Sequence, residues 1–416
     1  MHYLCTDFNK DCMENISRPD YVEKIERLYG KGLIIALTGQ RRVGKSFIMK
    51  QLIQRLEESE KKCNIIYIDK DDEKFAAIRT HSELTEYVAE HLSESIPNYL
   101  FVDEVQNIAN FELSLRSFHA KEECEIIISG SNAKILSSEL STYLSGRCVE
   151  YHIQSLDYVE FLSFHHLPDD NQSLLSYLSN GGMPQLSRIG LDERDLIDDY
   201  LKSVYNTIIL KDIVEREEIR NVPLLKNLVR FLGDNVGKII SASSVVRYLK
   251  GQQIDSSTKV ILNYLEYLCN AYIINRVNRY DIHGKRLFEL NDKFYFEDIG
   301  IRNSLIGSNR LPSIEKVIEN VVFLHLIRLG YDVTVGQLQK SEIDFVAQKK
   351  NQTLYVQTTY LLSTEETIKR EFGNLLLIAD NHPKIVVSMD DLFDGTNYQG
   401  IRHYHLRSFL QMKELG

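Results

Sequence analysis

Residues Gly39-Gln40-Arg41-Arg42-Val43-Gly44-Lys45-Ser46 follow the spacing G-x-x-x-x-G-K-[ST], a pattern suited to holding a polyphosphate. Its glycines let the backbone wrap so that N–H groups point inward at phosphate oxygens. A helix starting directly after the loop adds partial positive charge at the same place. Lys45 would then meet the β- and γ-phosphates, and the Ser46 hydroxyl would ligate Mg²⁺. Downstream, Tyr99-Leu100-Phe101-Val102-Asp103-Glu104 is an apolar run ending in two acids. On its own that is often mere strand-to-loop punctuation, but after such a loop it gains weight. Asp103 would hold Mg²⁺ through water and Glu104 would polarise an attacking water, since phosphoryl transfer is catalysed chiefly by positioning and electrostatics. Asn132, or Ser131 beside it, could hydrogen-bond the γ-phosphate or the water, or serve only a turn. Arg147 could reach a neighbouring subunit's γ-phosphate or be an ordinary surface arginine. No Asn-Lys-x-Asp base-reading string follows, which points to ATP over GTP.

These residues need a scaffold, and residues 33–131 spell one. Leu33–Thr38, Asn64–Asp69, Tyr99–Asp103 and Glu125–Ser129 are short apolar runs suited to strands buried on both faces. Helical spacing over 45–58 and 81–95 separates them, as in Ile48, Leu52 and Leu56. Alternation of this kind predicts a parallel α/β sheet, with the phosphate loop leaving a buried strand and entering a helix.

Beyond residue 152 the pattern turns helical, over 156–166, 172–180 and 192–219. Ser241 can cap a helix over 242–250, and Ser256 or Ser257 one reaching Asn270. Alternating strands over 272–280 and 286–294 then predict a β-ribbon, so 224–302 reads as helices followed by a wing. Residues 221–302 hold 12 basic and 8 acidic residues, a local charge of 12 − 8 = +4 against −10 for the whole chain. Arg276, Arg279, Lys285 and Arg286 cluster on the ribbon. Such side chains could lie along phosphates, yet the preceding helix offers little that reads bases. After Pro312 come a helix (314–329), a Gly330 stop and strands near 332–336, 343–348, 353–359 and 385–388.

The 416 residues carry 49 Lys+Arg against 59 Asp+Glu, which excludes a uniformly basic nucleic-acid binder. No apolar run approaches a membrane span, and the N-terminus lacks a secretory pattern. The six cysteines form no CxxC pair and read as reduced thiols of a cytoplasmic protein. His165 and His166 are adjacent, so they point apart and make an unsuitable pair of metal ligands.

The strings Leu37–Ser46, Phe101-Val-Asp103-Glu104-Val-Gln106, Ser129-Gly-Ser131 and Leu144-Ser-Gly146-Arg147 together resemble the prokaryotic AAA+-type ATPases of the "AAA domain 14" kind, as does Tyr177–Pro184 in the lid region. That family often carries a C-terminal domain of unknown function. The resemblance implies ATP binding with slow hydrolysis. Glu319, Glu342-Ile343-Asp344 and Gln357-Thr358-Thr359 resemble a PD-(D/E)xK nuclease core that has lost an acid and its lysine, with Lys340 a candidate for a migrated one. The expected architecture is therefore a P-loop NTPase core (1–151), a helical lid (152–220), a winged helix-turn-helix (221–305) and a small, inactive nuclease-like α/β domain (306–416). The expected function is a nucleotide-driven switch that uses ATP and Mg²⁺, acts on an unknown protein partner and could work as a homo-oligomer. The alternative is an ATP-regulated DNA-binding or nucleolytic protein, with weak DNA contact through the wing.

Overall fold

The computed structural model describes residues 17–133, 146–287, 291–307, 314–338 and 341–415. Residues 134–145, over which the sequence also predicts a helix (133–144), residues 288–290 of the second ribbon strand, Pro312 and Lys340 lie outside the described residues. The chain divides into two compact units, 1–153 and 154–416.

In the first unit, β1 (Ile34–Thr38), β2 (Asn64–Asp69), β3 (Asn98–Asp103), β4 (Glu125–Gly130) and β5 (Cys148–His152) form one sheet in the order β2-β3-β4-β1-β5. Every neighbouring pair runs parallel. All five residues of β1 are buried, the reason its sequence reads as continuous apolar residues rather than alternating ones. One sheet face presents Ile34, Ala36, Ile66, Ile68, Leu100, Val102, Ile126 and Ile128. Against it pack Leu84 and Val88 of α3 (His81–His91) and Leu115 and Phe118 of α4 (Phe111–Ala120). Thr80 and Glu83 close a capping box that fixes where α3 begins. Before the sheet, α1 spans Pro19–Glu26; after the phosphate loop, α2 spans Lys45–Glu58 and buries Ile48, Met49 and Leu52. The register sets Thr38 beside Gly130, and Asp69 beside Asp103, so the C-terminal ends of β1 to β4 share one edge.

The second unit starts with helices Tyr158–His165, Asn171–Asn180 and Arg194–Thr207. The last of these continues as a π-helical turn, Ile208–Val214, where the sequence predicts unbroken helix. Ser241 and Ser257 cap helices Ala242–Gly251 and Thr258–Asn270 through the amides of Ser244 and Val260. The expected ribbon is divided. Its base pairs β6 (Ile274–Val277) with β9 (Lys293–Phe296). Its far half, β7 (Arg279–Asp281) with β8 (Arg286–Leu287), instead joins the edge of an eight-stranded sheet. There β7 also runs parallel to β10 (Asp332–Leu338), a pairing that the sequence pattern of the ribbon does not show. The edge strand's unpaired N–H and C=O groups find partners in the sheet. This sheet continues through β11 (Ser341–Lys349), β12 (Gln352–Thr358), β13 (Lys384–Ser388), β15 (Ile401–His405) and β14 (Asn397–Tyr398). Helix Glu365–Leu376 covers it with Phe372 and Leu375, which join Ile343, Val346 and Val386 in one core.

Candidate nucleotide site

Gly39 and Gly44 take φ of +139° and +102°, conformations that an L side chain resists. Arg42 also lies at positive φ, +70°. These angles turn the chain from β1 into α2 within a few residues and leave Lys45 buried in the first turn of the helix, 4% exposed. Its Nζ donates to the carbonyls of Gly39 and Gln40, at 3.0 Å each. The loop thus wraps around the ammonium of its own lysine. Val43 is buried and its carbonyl accepts from the Arg18 guanidinium at 3.0 Å. Arg18 is itself buried and lies over the Tyr21 ring at 4.6 Å. Sequence reasoning missed this buttress, because nothing in a lone Arg-Pro says which loop it will reach.

Asp103 ends β3 and is 1% exposed. Its carboxyl is pushed up by burial, against which hydrogen bonds from Ser129 and Ser46 work. Ser46 and Asp103, separated by most of the sheet in sequence, therefore touch. A buried acid beside a hydroxyl at the head of the phosphate loop fits a site for a hard cation such as Mg²⁺. Glu104 follows in a left-handed conformation, φ +52°, the kind of local strain that neighbours must hold in place. Ser129 does so: its hydroxyl donates to Asp103 Oδ1 and accepts from the Glu104 amide at 3.0 Å. The Glu104 carboxylate accepts from Ser131 Oγ at 3.2 Å and from Gln106 Nε2. Burial opposes its charge, but Lys45, Arg41 and these two donors hold Glu104 below the usual carboxylate range.

Asn132 is buried just past the end of β4. Arg147 is exposed and precedes β5, its carbonyl accepting from the amide of Ile34 at 2.8 Å. It thus lies at the opposite end of β1 from the phosphate loop. The structure gathers Lys45, Ser46, Asp103, Glu104 and Ser131 at one edge and leaves Arg147 out of that group. Ser129 and Gln106 were legible only as polar letters near the two acids; the register of β3 with β4 gives them their partners.

A parallel sheet in this order, a phosphate loop between β1 and α2, and paired acids at the end of β3 define a P-loop ATPase of the AAA+ type. Residues 31–162 match the AAA domain family, and residues 171–311 match a domain of unknown function (DUF8612). An uncharacterised protein of Haemophilus influenzae is 31% identical over 408 residues, covering 95% of this chain and 98% of that one. Another, from Methanocaldococcus jannaschii, is 30% identical over 345 residues, covering 79% and 75%. The chain belongs to the family of these proteins. A Walker-type ATPase of Pyrococcus abyssi shares the fold at a TM-score of 0.51 and 16% identity, over 70% of this chain and 95% of that one. Among the described residues no helix is long and apolar enough to cross a membrane.

Proposed function

We propose that the chain is a Mg²⁺-dependent ATPase of slow turnover that works as a nucleotide-driven switch on a protein partner held by its C-terminal region. The observation that carries the reading is the convergence of Lys45, Ser46, Asp103 and Glu104 on one sheet edge. In it, the backbone from Gly39 to Ser46, through Gln40, Arg41, Arg42, Val43 and Gly44, wraps the phosphates, and Lys45 meets the β- and γ-phosphates. Ser46 and Asp103 hold Mg²⁺, which supplies positive charge to the phosphate oxygens. Glu104 accepts a hydrogen bond from the attacking water, and Asn132 with Ser131 orients the γ-phosphate. Slow turnover follows from Glu104 being engaged by Ser131 and Gln106, contacts it must loosen to reach water. Arg147, remote from its own chain's loop, would act on the nucleotide of a neighbouring copy in a homo-oligomer.

The remaining assignments are a lid over 152–220, a winged helix over 221–305 and a nuclease-like but non-cleaving domain over 306–416. Helices Val222–Asp234, Ala242–Gly251 and Thr258–Asn270 followed by β6 and β9 support the second. The order helix Ile314–Arg328, β10, β11, β12, helix Glu365–Leu376, β13 supports the third. A protein partner is favoured over DNA because the ribbon's arginines are engaged. Arg276 pairs with Asp292 at 2.6 Å, Arg286 lies 3.7 Å from Asp281, and Arg279 donates to Gln337 at 2.5 Å. Any DNA binding should be weak and lost with salt. ATP turnover measured with and without double- and single-stranded DNA, with the DNA followed in the same tube, tests the reading. Turnover that Lys45→Ala leaves intact would refute the ATPase assignment, and DNA cleavage abolished by Asp344→Ala would promote the nucleolytic alternative.

A further inference from the structure

Lys293 is the first residue of β9, and its side chain is 2% exposed. Its ammonium lies 2.8 Å from Glu319 Oε1, 2.7 Å from Glu342 Oε1 and 4.0 Å from Asp344 Oδ1. Glu319 comes from helix Ile314–Arg328, and Glu342 and Asp344 from alternate positions on one face of β11. Three carboxylates from two elements thus surround one cation from a third. Tyr295, two residues along β9 and so on the same face as Lys293, donates its hydroxyl to Glu319 Oε1 at 2.6 Å. Backbone closes in too: a Cβ on Gly237 would stand 2.4 Å from Glu319 Oε2.

Polar atoms beside the cluster are engaged as well. Asp344 Oδ2 accepts from the Thr358 amide and hydroxyl, at 2.8 Å each. Gln357 accepts from the Asp344 amide at 3.3 Å and donates to Glu371 at 3.0 Å. An ammonium has three donors and no acceptor, so it meets the converging carboxylate oxygens without leaving a lone pair of its own buried. Burial favours the neutral amine, but Glu319, Asp344 and Glu342 outweigh it and hold Lys293 charged. Burial first, then the Glu319 charge, pushes Asp344 up to about 7, while Lys293 pulls it back.

We propose that Lys293 is the resident cation of this carboxylate cluster, occupying with its own Nζ the place a hard divalent ion would take. Oxygens at 2.7–2.8 Å from the nitrogen are a few tenths of an ångström beyond the roughly 2.3–2.6 Å that Ca²⁺ requires. Asp344 would have to close by more than 1 Å from its 4.0 Å. With the lysine in place the oxygens are spaced for an ammonium, and among the described residues no group of three or more His, Cys, Asp or Glu is arranged to hold a metal. The lysine also ties β9 to helix Ile314–Arg328 and β11, fixing register among elements far apart in sequence. This deepens the reading of the C-terminal region as non-cleaving, and the two can fail separately: DNA cleavage by the wild type would overturn that reading, whereas metal binding alone tests the lysine.

The test is Ca²⁺ titration calorimetry on nucleotide-free, full-length protein. Wild type should bind no stoichiometric Ca²⁺ at this cluster. Lys293→Met leaves the carboxylates unneutralised and should take up one Ca²⁺ at least ~100-fold more tightly than wild type, a gain that Lys293→Met/Glu319→Gln loses. If Lys293→Met fails to fold at neutral pH, added Ca²⁺ should restore its circular dichroism; failure to restore it counts against the proposal. A wild-type site abolished by Asp344→Asn, or a folded Lys293→Met that binds Ca²⁺ no better than wild type, would overturn it.

Discussion

Placing a methyl group on Gly39 tests whether the phosphate loop is built as described. A Cβ there would lie 2.1 Å from the carbonyl oxygen of Ile153 and 3.1 Å from its carbon, both backbone atoms. Non-bonded heavy atoms favour about 3.5–4.0 Å, so the two segments must part by roughly 1 Å or more. The Ile153 amide donates to the Thr38 carbonyl at 2.7 Å. Parting by that amount takes this bond past the range of a good hydrogen bond. Breaking a buried one costs about 1–3 kcal/mol, and forcing alanine to positive φ adds about 1–2 kcal/mol. Gly39→Ala should therefore lose about 2–5 kcal/mol. Gly44→Ala is the control, because φ there is +102° but nothing lies within 4 Å of the added carbon; it should lose only about 1–2 kcal/mol. For a unit of this size each kcal/mol moves the midpoint by about 2–4 °C. Thermal melts of nucleotide-free protein should place Gly39→Ala about 4–20 °C below wild type and below Gly44→Ala, with ATP binding by calorimetry lost in the former. A Gly39→Ala protein that melts with Gly44→Ala or above it would refute the close approach of β1 and Ile153.

Glu104→Gln should retain ATP affinity and slow turnover ~100-fold or more, the usual size of a lost general base, read from single-turnover kinetics. Ser129→Ala removes the hydroxyl shared by Asp103 and the Glu104 amide; kcat should fall ~10-fold or more with KM little changed, and an equal loss in ATP affinity would count against a positioning role. Leu100→Ala, at a fully buried site in the middle of β3, should cost about 2–5 kcal/mol in denaturant unfolding. His325 is lowered from 6.5 to about 4 by burial first and by Arg328 second. Its neutral form is the folded one, so its contribution is full above pH 6.5 and is lost as pH falls towards 4, up to about 3 kcal/mol. His325→Phe should flatten the melting temperature over that window; an unchanged acid limb would show that other groups dominate.

The first unit was legible because its signals are local. Buried parallel strands must be apolar on both faces, so β1, β3 and β4 read as largely apolar runs, and all four strands expected here end within a residue of the observed ones. The phosphate loop is a contiguous string whose glycines answer to backbone angles, and the Ser241 and Ser257 caps are satisfied within three residues. Less could be seen of β5, whose residues Cys148 to His152 are half-buried or exposed at the sheet edge and mix charge with apolar letters. The place of the ribbon was hidden for a different reason. Alternation shows that β7 and β8 are strands of a ribbon, and they pair with each other, but only the sheet's open edge beside β10 decides what else β7 pairs with.

Sequence alone thus determined the strand-loop-helix frame, the glycine-rich loop within it and the two acids that follow. Tertiary structure decided what each of them touches: Arg18 on Val43, Ser129 between Asp103 and Glu104, and Arg147 at the far end of β1 from the loop. It also decided that Glu319, Glu342 and Asp344 meet Lys293, a lysine 26 residues before the first of them on a different strand. Local conformation follows from side-chain size, branching and capping within a few residues, which a sequence displays. Partnership across a fold depends on strand register and helix packing, which arise only when the whole chain buries its apolar surface at once.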